Sequence, residues 1–401
     1  MRSRPEVLIL GAGYAGLMAA SRVLRSQLAN VTIIDSSPRF EQRIRMHEVL
    51  AGRSVKSPKY SDWLPGKSVR MVVDRVCDID PQSKQVITES GCYTYDYLLF
   101  ALGSEVDQSA IPGASEFAVS IGRQAANAEL SGKLRNLNNV QGKLVFIGAG
   151  LTNLESATEL AETFPSLNIT LISSGTLFKD FSVPGREYLW SACRRLNIEL
   201  VEKRNVTRVL ENSVQLDDGS RVEADLTVVA PGFRASKLGQ KMASAWSEIM
   251  VDKKGRILCY PDLSASVDQT IWVAGDACHR TTELQRLYRM GCALALPMGA
   301  QAGENIVRHI QGQVTEAFRF GYIFRCVSLG RKDALIQWTD ERDVPREKIT
   351  TGRRAVRIKE WICKLTYYAP KWELKTGIRC YYWPKPEPAA LDATEWPYDA
   401  G

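Results

Sequence analysis

The sequence predicts an α/β fold built from two parallel-sheet nucleotide-binding units in tandem, followed by a C-terminal α+β segment. Three observations carry this. A glycine turn, GAGYAG at 11–16, follows a short apolar run near the start. A related turn, GAGLTN at 148–153, follows a second such run. A third apolar stretch, IWVA at 271–274, ends in Gly275-Asp276. The composition agrees: 401 residues, 45% hydrophobic and 24% charged, fit a globular chain of two or three domains. No run approaches 18 uninterrupted apolar residues, which argues against a membrane-spanning helix. Nine cysteines without a CxxC pair argue against a disulphide scaffold, a zinc ribbon and a dithiol redox centre. The basic start, MRSRPEVLIL, reads as the approach to a buried strand rather than a signal peptide. A reducing, cytoplasmic setting is expected.

In the first unit, residues 7–10 are apolar, 14–25 have helical spacing, and 31–34 form a second apolar run ending at Asp35. Strand, glycine turn, helix, strand and acid in that order make a Rossmann-like dinucleotide-binding fingerprint. Gly11 permits the tight turn, Gly13 lets backbone approach a pyrophosphate, and Gly16 allows close helix-to-strand packing. Tyr14 and Ala15 open the helix whose N-terminus faces the phosphates. Asp35, 19 positions after Gly16, is placed to accept from ribose hydroxyls.

The second unit repeats the order, with apolar runs at 144–147 and 169–172 around Gly148 and Gly150. Each unit also has an exit strand: YLLFALGS, with Ala101 and Gly103 at its end, and LTVVAPGF, reaching Gly232. Asp217-Asp218-Gly219 between apolar runs is a hairpin turn. In the third element, Asp276 is placed to bond a flavin's ribityl or pyrophosphate region. The helix-like stretch at 295–310, with Pro297 and Met298 near its start, would aim its amides at the isoalloxazine.

The excess charge is local. The formal net charge is +7, and nine basic residues against Glu360 and Glu373 lie between 351 and 385. That segment also holds Trp361, Tyr367, Tyr368, Trp372, Tyr381, Tyr382 and Trp383. Interleaved cations and aromatics suit a membrane surface, and they equally suit packing on the protein or a dimer contact. No nucleic-acid motif accompanies them. Ala355, Ile358, Trp361, Ile362, Leu365 and Tyr368 fall at helical spacing and predict one apolar stripe.

Taken in order, GAGYAG, FALGS, GAGLTNLE, VAPGF and WVAGDAC resemble the two-dinucleotide-domain flavoproteins of the pyridine nucleotide–disulphide oxidoreductase superfamily, a glutathione-reductase-like architecture. CVSLGRKDALIQW and the basic aromatic tail bring the resemblance nearer to type II NADH dehydrogenases. It spans about residues 5–385. It implies a discontinuous FAD-binding domain at 1–115 and 250–312, an NAD(P)-binding-like domain at 116–249, and an interface or membrane-surface segment at 313–385. Residues 386–401, Pro-rich and mildly acidic, read from their composition as a disordered tail. It implies FAD at the first and third elements and NAD(P)H at the second. Arg43 and Arg45 stand where relatives bring a loop over FAD, and either could pair with its pyrophosphate. His47 could sit by the flavin and relay a proton, or be a packing residue. Glu155 matches an acidic position that holds the nicotinamide near the flavin, or makes only a local helix bond. His279 is open in the same way, and His309 reads as structural.

The departures from the pattern are specific. Asn153 stands where a third glycine belongs, and its side chain should push the helix away or crowd the nucleotide. The counterpart of Asp35 is Ser173, followed by Ser174 and Gly175. No acid grips a ribose there; the serines suit a 2′-phosphate, yet no arginine stands beside them, so the nicotinamide form stays open. The relatives' AQxxxQ stretch on the quinone side becomes Ala300-Gln301 with Asn305 at the last position. Disulphide reduction lacks its cysteine pair, and sulphide chemistry would need two flanking cysteines. The leading expectation is an FAD-dependent oxidoreductase passing a hydride from NAD(P)H through flavin to a quinone-like acceptor. The alternative is a flavin dehydrogenase or oxidase acting directly on a small organic metabolite, with a degenerate nicotinamide site. A non-catalytic nucleotide-binding protein is the third reading. The expected partners are a quinone or small molecule, a membrane surface touched through 351–385, or a second copy, and no nucleic acid. No metal is expected.

Overall fold

The computed structural model describes residues 4–64, 66, 69–106, 111–122, 124–229, 232–280 and 288–386. The tail expected at 386–401 therefore lies outside the described residues except for Pro386, whose carbonyl accepts from Arg319 Nη1 at 3.0 Å.

Two five-stranded parallel sheets carry the nucleotide units. From edge to edge the first runs Ile271–Val273, Tyr97–Phe100, Glu6–Leu10, Asn30–Asp35 and Val69–Val73. The second runs Ile198–Val201, Asn168–Ile172, Lys143–Ile147, Leu226–Val229 and Ala118–Val119. Parallel sheets are covered on both faces, which is why their strands read as continuous apolar runs without polar alternation. Val7, Ile9, Leu10, Ile33 and Ile34 are fully buried accordingly. Each unit carries a three-stranded antiparallel flap, at Val76–Asp80, Gln85–Thr88 and Cys92–Thr94 and at Val206–Leu210, Ser213–Leu216 and Arg221–Glu223. The second flap turns through Gly219 at φ +84°, as the Asp-Asp-Gly signal requires.

The third element closes the first sheet. Strand Ile271–Val273 lies beside Tyr97–Phe100, and the helix Cys292–Ile310 then packs on the first helix, Tyr14–Ser26. Small residues allow this approach: a Cβ on Gly299 would lie 2.1 Å from Ala15 O, and one on Gly303 2.7 Å from Ala19 O.

The C-terminal segment is an antiparallel sheet of Phe324–Ser328, Ala334–Thr339 and Pro345–Thr351, followed by the 25-residue helix Gly352–Thr376. The predicted apolar stripe is rotated from its expected place. Trp361 is 62% exposed and Tyr368 48%, while the buried face comprises Ala355, Lys359, Cys363, Thr366, Tyr367 and, farther on, Glu373. Buried ions explain the rotation. Arg22, on the first helix, donates to Glu373 Oε1 and to Tyr381 O, each at 3.0 Å. Glu373 also accepts from Ser21 Oγ at 3.0 Å and from the backbone N–H of Cys380 and Tyr381 at 2.9 and 2.8 Å. Partners from far up the chain thus decide which side of the helix turns inward.

Removing one partner of a buried pair strands the other charge, at roughly 3–5 kcal/mol. Arg22→Met should lower the urea-unfolding free energy by about that much. Combined with Glu373→Leu it should cost clearly less than the two single losses added together, although Glu304 also loses a cation and the donors to Glu373 lose that acceptor. Strictly additive losses would contradict the pairing.

Candidate active site

The first turn has the shape its glycines predict. Gly11 N donates to Ile34 O at 2.8 Å, and the residue sits at φ +95°. A Cβ there would lie 2.5 Å from Ala101 O, and one on Gly16 1.9 Å from Gly11 O. At Gly13 a Cβ would meet nothing within 4 Å, so the turn keeps open the space that a pyrophosphate fills. Asp35 is fixed beside it, accepting from Ala12 N at 2.7 Å and Ser37 N at 2.8 Å. The third element is stitched to the same place. Asp276 accepts from Ser104 Oγ at 2.7 Å and from Gly291 N at 2.6 Å, while Gly275, at φ +76°, backs onto Ala15. These features fit FAD: a phosphate cradle, a ribose-level acid and a polar clamp lie along the carboxyl ends of the strands of the first sheet.

The surrounding residues are placed less uniformly. Arg43 Nη1 donates to Ser104 O at 2.9 Å, next to Gly103. Arg45 instead divides its guanidinium between Glu48 and Glu360, both at 2.7 Å, and ties the loop to the C-terminal helix. The helix expected to start near Ala295 starts at Cys292, so Pro297 and Met298 are buried in its second turn. The amides at its N-terminus belong to Cys292 and Ala293, since Leu294 and Ala295 already bond Gly291 O.

The second turn repeats the first. Gly148 N donates to Ile172 O at 2.8 Å with Gly148 at φ +97°, and Gly150 caps the helix Leu151–Thr163. Asn153 does not push that helix away. Its Nδ2 folds back to donate to Gly148 O at 2.7 Å and Ile147 O at 3.0 Å, so the amide braces the turn from within. A Cβ on Gly150 would meet nothing within 4 Å, and here too space for phosphates is open.

Glu155 points into the junction of the second unit with the C-terminal segment. It accepts from Ser328 N at 2.9 Å and pairs with Lys359, which sequence reasoning passed over. The available signal was a lysine at helical spacing between Ala355 and Cys363, on a face of otherwise small residues. Burial alone would raise the Glu155 carboxyl, but Lys359, His47 and the hydrogen bonds outweigh it and hold it below the ordinary range. Burial likewise opposes the charge on Lys359, and Glu155 more than restores it. The pair is therefore ionised. His47 is 5% exposed, and its Nε2 has no hydrogen-bond partner among the described residues. Burial pushes its pKa down to about 4, so the ring is neutral at ordinary pH. Burial also pushes the Cys292 and Cys363 thiols up to about 12 and raises Cys326. These three remain thiols, which speaks against their serving as the nucleophilic pair of sulphide chemistry.

Gln301 and Asn305 are fully buried. Asn305 Nδ2 donates to Asp262 O and Glu316 O at 2.9 and 2.8 Å, clamping two loops. His279 pairs with Asp252 at 2.9 Å, and His309 bonds Gln269 at 2.9 Å. Among the described residues no helix is long and apolar enough to cross a membrane.

Neutral His47 gives a signed pH prediction. Its folded pKa of about 4 is below the unfolded value of 6.5, so the unfolded chain binds the extra proton first. This contribution is complete above about pH 6.5 and fades toward pH 4, for a total of about 3 kcal/mol at most. His47→Gln should remove that slope in urea titrations at pH 7 and 4.5. Glu159, whose pKa burial raises, pulls the other way in both proteins and cancels in the difference. An unchanged slope would show that His47 is not shielded.

Comparison with known proteins accords with this geometry. Residues 5–295 match the pyridine nucleotide-disulphide oxidoreductase family. An NADH dehydrogenase-like protein of Mycobacterium tuberculosis is 27% identical over 389 residues, covering 91% of this chain and 94% of its own length. A type II NADH:quinone oxidoreductase of Staphylococcus aureus is 27% identical over 372 residues, covering 83% and 90%. Among solved structures, the sulfide:quinone oxidoreductase of Aquifex aeolicus superposes with a TM-score of 0.79 at 20% identity, over 92% of each chain. NDH2 from Plasmodium falciparum, in complex with NADH, gives 0.76 at 13% identity, over 93% of this chain and 99% of its own. These two likenesses are of fold. The chain belongs to the pyridine nucleotide-disulphide oxidoreductase family and is an FAD-dependent, NADH dehydrogenase-like oxidoreductase.

Proposed function

We propose that this protein passes a hydride from NAD(P)H to FAD and from there to a quinone-like acceptor drawn from a membrane surface. The observation that carries the reading is a file of rings running from the first nucleotide turn to an exposed basic face. Tyr14, on that turn, packs on Phe40 with ring centroids 5.2 Å apart; Phe40 meets Trp63 at 4.8 Å, Trp63 meets Tyr367 at 5.1 Å, and Tyr367 meets Tyr368 at 4.9 Å. Tyr368 emerges beside the exposed Trp361 and Trp372 on a helix that also presents Arg354, Arg357, Lys364 and Lys375 outward. Rings and cations so mixed suit a lipid headgroup layer, where an apolar acceptor is dissolved.

The bound flavin supplies the two-electron chemistry, and the chain supplies position and charge. Gly13 and the Cys292 helix N-terminus would receive the phosphate and ring of FAD and Asp35 its ribose, and the Ser104–Asp276–Gly291 clamp holds the third element closed. With this division of labour go proposed domain limits of 1–115 with 250–312, 116–249 and 313–385. Lys359 brings a fixed positive charge to the junction, Glu155 positions it, and His47 lies beside the pair as a buried, uncharged ring. The alternative, direct oxidation of a small metabolite, drew its support from a second fingerprint altered at both Asn153 and Ser173. With Asn153 bracing the second turn, the part of that argument resting on Asn153 falls away.

Anaerobic mixing of the flavin-loaded protein with NADH and with NADPH is the direct test. Bleaching by either, followed by recovery on adding a quinone, is expected; a yellow protein indifferent to both nucleotides would sink the reading. Trp361→Ser combined with Trp372→Ser should cut co-sedimentation with phosphatidylglycerol vesicles several-fold at unchanged flavin content. Loss of a dimer instead, with vesicle binding intact, would assign that face to a second copy.

A further inference from the structure

We infer that the second nucleotide site is shaped for the 2′-phosphate of NADPH and discriminates against NADH. The inference rests on the reading above that a nicotinamide nucleotide is the hydride donor, and it names which one. The two nucleotide turns can be aligned by a hydrogen bond rather than by counting. Gly11 N donates to Ile34 O, and Gly148 N to Ile172 O, both at 2.8 Å. The residue that follows each of these carbonyl positions is at the ribose level, and it is Asp35 at the end of its strand in the first unit and Ser173 just past its strand in the second. A carboxylate there accepts from 2′- and 3′-hydroxyls and repels a 2′-phosphate, whereas a serine hydroxyl does not repel it.

Cations missing from the local sequence arrive from the neighbouring strand. Ile172 pairs in register with Val201, so residues 202–204 leave the sheet level with residues 173–175. The backbone binds the two loops together. Ser173 N donates to Val201 O at 2.8 Å, Arg204 N to Ser173 O at 3.1 Å, and Lys203 N to Gly175 O at 3.3 Å. Lys203 adopts φ +58°, the left-handed turn that folds the second loop back along the first. Two cationic residues thus border a serine rim, about thirty positions away from it in sequence.

The acids nearby leave part of that charge available. Glu202 is turned inward, accepting from Leu177 N at 3.1 Å. Asp217 accepts from Asn205 N at 3.0 Å. Asp218 meets the Nε of Arg204 at 3.1 Å and Asp217 also acts on its guanidinium, so Arg204 is partly neutralised and Lys203 carries the freer charge. Lys203 is exposed and has no carboxylate partner among the described residues. A doubly charged phosphate monoester beside Ser173 would gain charge-assisted bonds from both side chains, which a ribose hydroxyl cannot match.

Calorimetric titration of the flavin-loaded full chain with NADP⁺, NAD⁺ and adenosine 2′,5′-bisphosphate reads this without turnover. NADP⁺ should bind at least about tenfold more tightly than NAD⁺, and the bisphosphate should compete with it. Lys203→Ala with Arg204→Ala should remove most of that ratio by weakening NADP⁺ alone, and Ser173→Asp should reverse it. Lys203 and Arg204 are exposed and Ser173 is half-buried, and circular dichroism checks that the fold is kept. Equal or tighter NAD⁺ binding by the parent protein would overturn the inference while leaving the hydride-donor reading intact. Binding of neither nucleotide would overturn both.

Discussion

The architecture depends on one close contact between two helix backbones. The first helix and the helix Cys292–Ile310 touch where Gly299 faces Ala15 and Gly303 faces Ala19, at separations that leave no room for a side chain. That contact draws the third element onto the first glycine turn, even though the whole second unit intervenes in sequence. Once it is made, Gly275 lies against Ala15, and Asp276 can reach both Ser104 and Gly291. Replacing either glycine by a larger residue would separate the helices and open the clamp on the flavin side. The phosphate cradle and the clamp are therefore consequences of a packing constraint, not independent features.

A different force orients the C-terminal helix. Its inward face carries Lys359 and Glu373, each buried against an opposite charge from another part of the chain. An apolar stripe can rotate by a residue at little cost, whereas a buried ion that loses its partner is heavily penalised. The helix is thus pinned at two points four turns apart, and Trp361, Tyr368 and Trp372 are left outside. The same pins join three parts of the molecule: Arg22 and Glu304 from the first unit, Glu155 from the second, and the tail at Tyr381.

This division explains what was legible in the sequence. The turns at Gly11–Gly16 and Gly148–Gly150, the Asp35 position, the Asp276 element and the hairpin at Gly219 are local codes, in which residue type and spacing dictate backbone shape. They could be read directly. The rotation of the last helix could not, because hydropathy periodicity counts Lys359 and Glu373 as surface residues and Trp361 as core. Their partners, Glu155 and Arg22, lie more than two hundred residues away in the sequence. Asn153 was misjudged for a related reason: its volume was counted without the two carbonyls waiting for its amide. The start of the helix at Cys292 was obscured by Pro297, which looks like a first-turn proline but occupies the second turn.

The duplicated fold separates scaffold from selectivity. Both units use the same backbone bond at the turn and a positive-φ glycine at its start, and both place open space over the middle glycine. What differs is confined to side chains on the rim, where Asp35 and Ser173 occupy equivalent positions. A parallel sheet makes such divergence cheap, because the ends of adjacent strands emerge side by side and a loop from one can supply charge to the other. Burial then keeps the far end of the site separate in character. There the ionised pair Lys359–Glu155 sits among neutral His47 and thiols whose pKa values burial has raised, with the Arg45–Glu48 and Arg331–Glu48 pairs nearby. In such low-dielectric surroundings the positive charge on Lys359 depends on the carboxylate opposite it. The junction therefore holds its charge only while the second unit and the C-terminal helix stay in contact, and electrostatics and domain packing become one constraint.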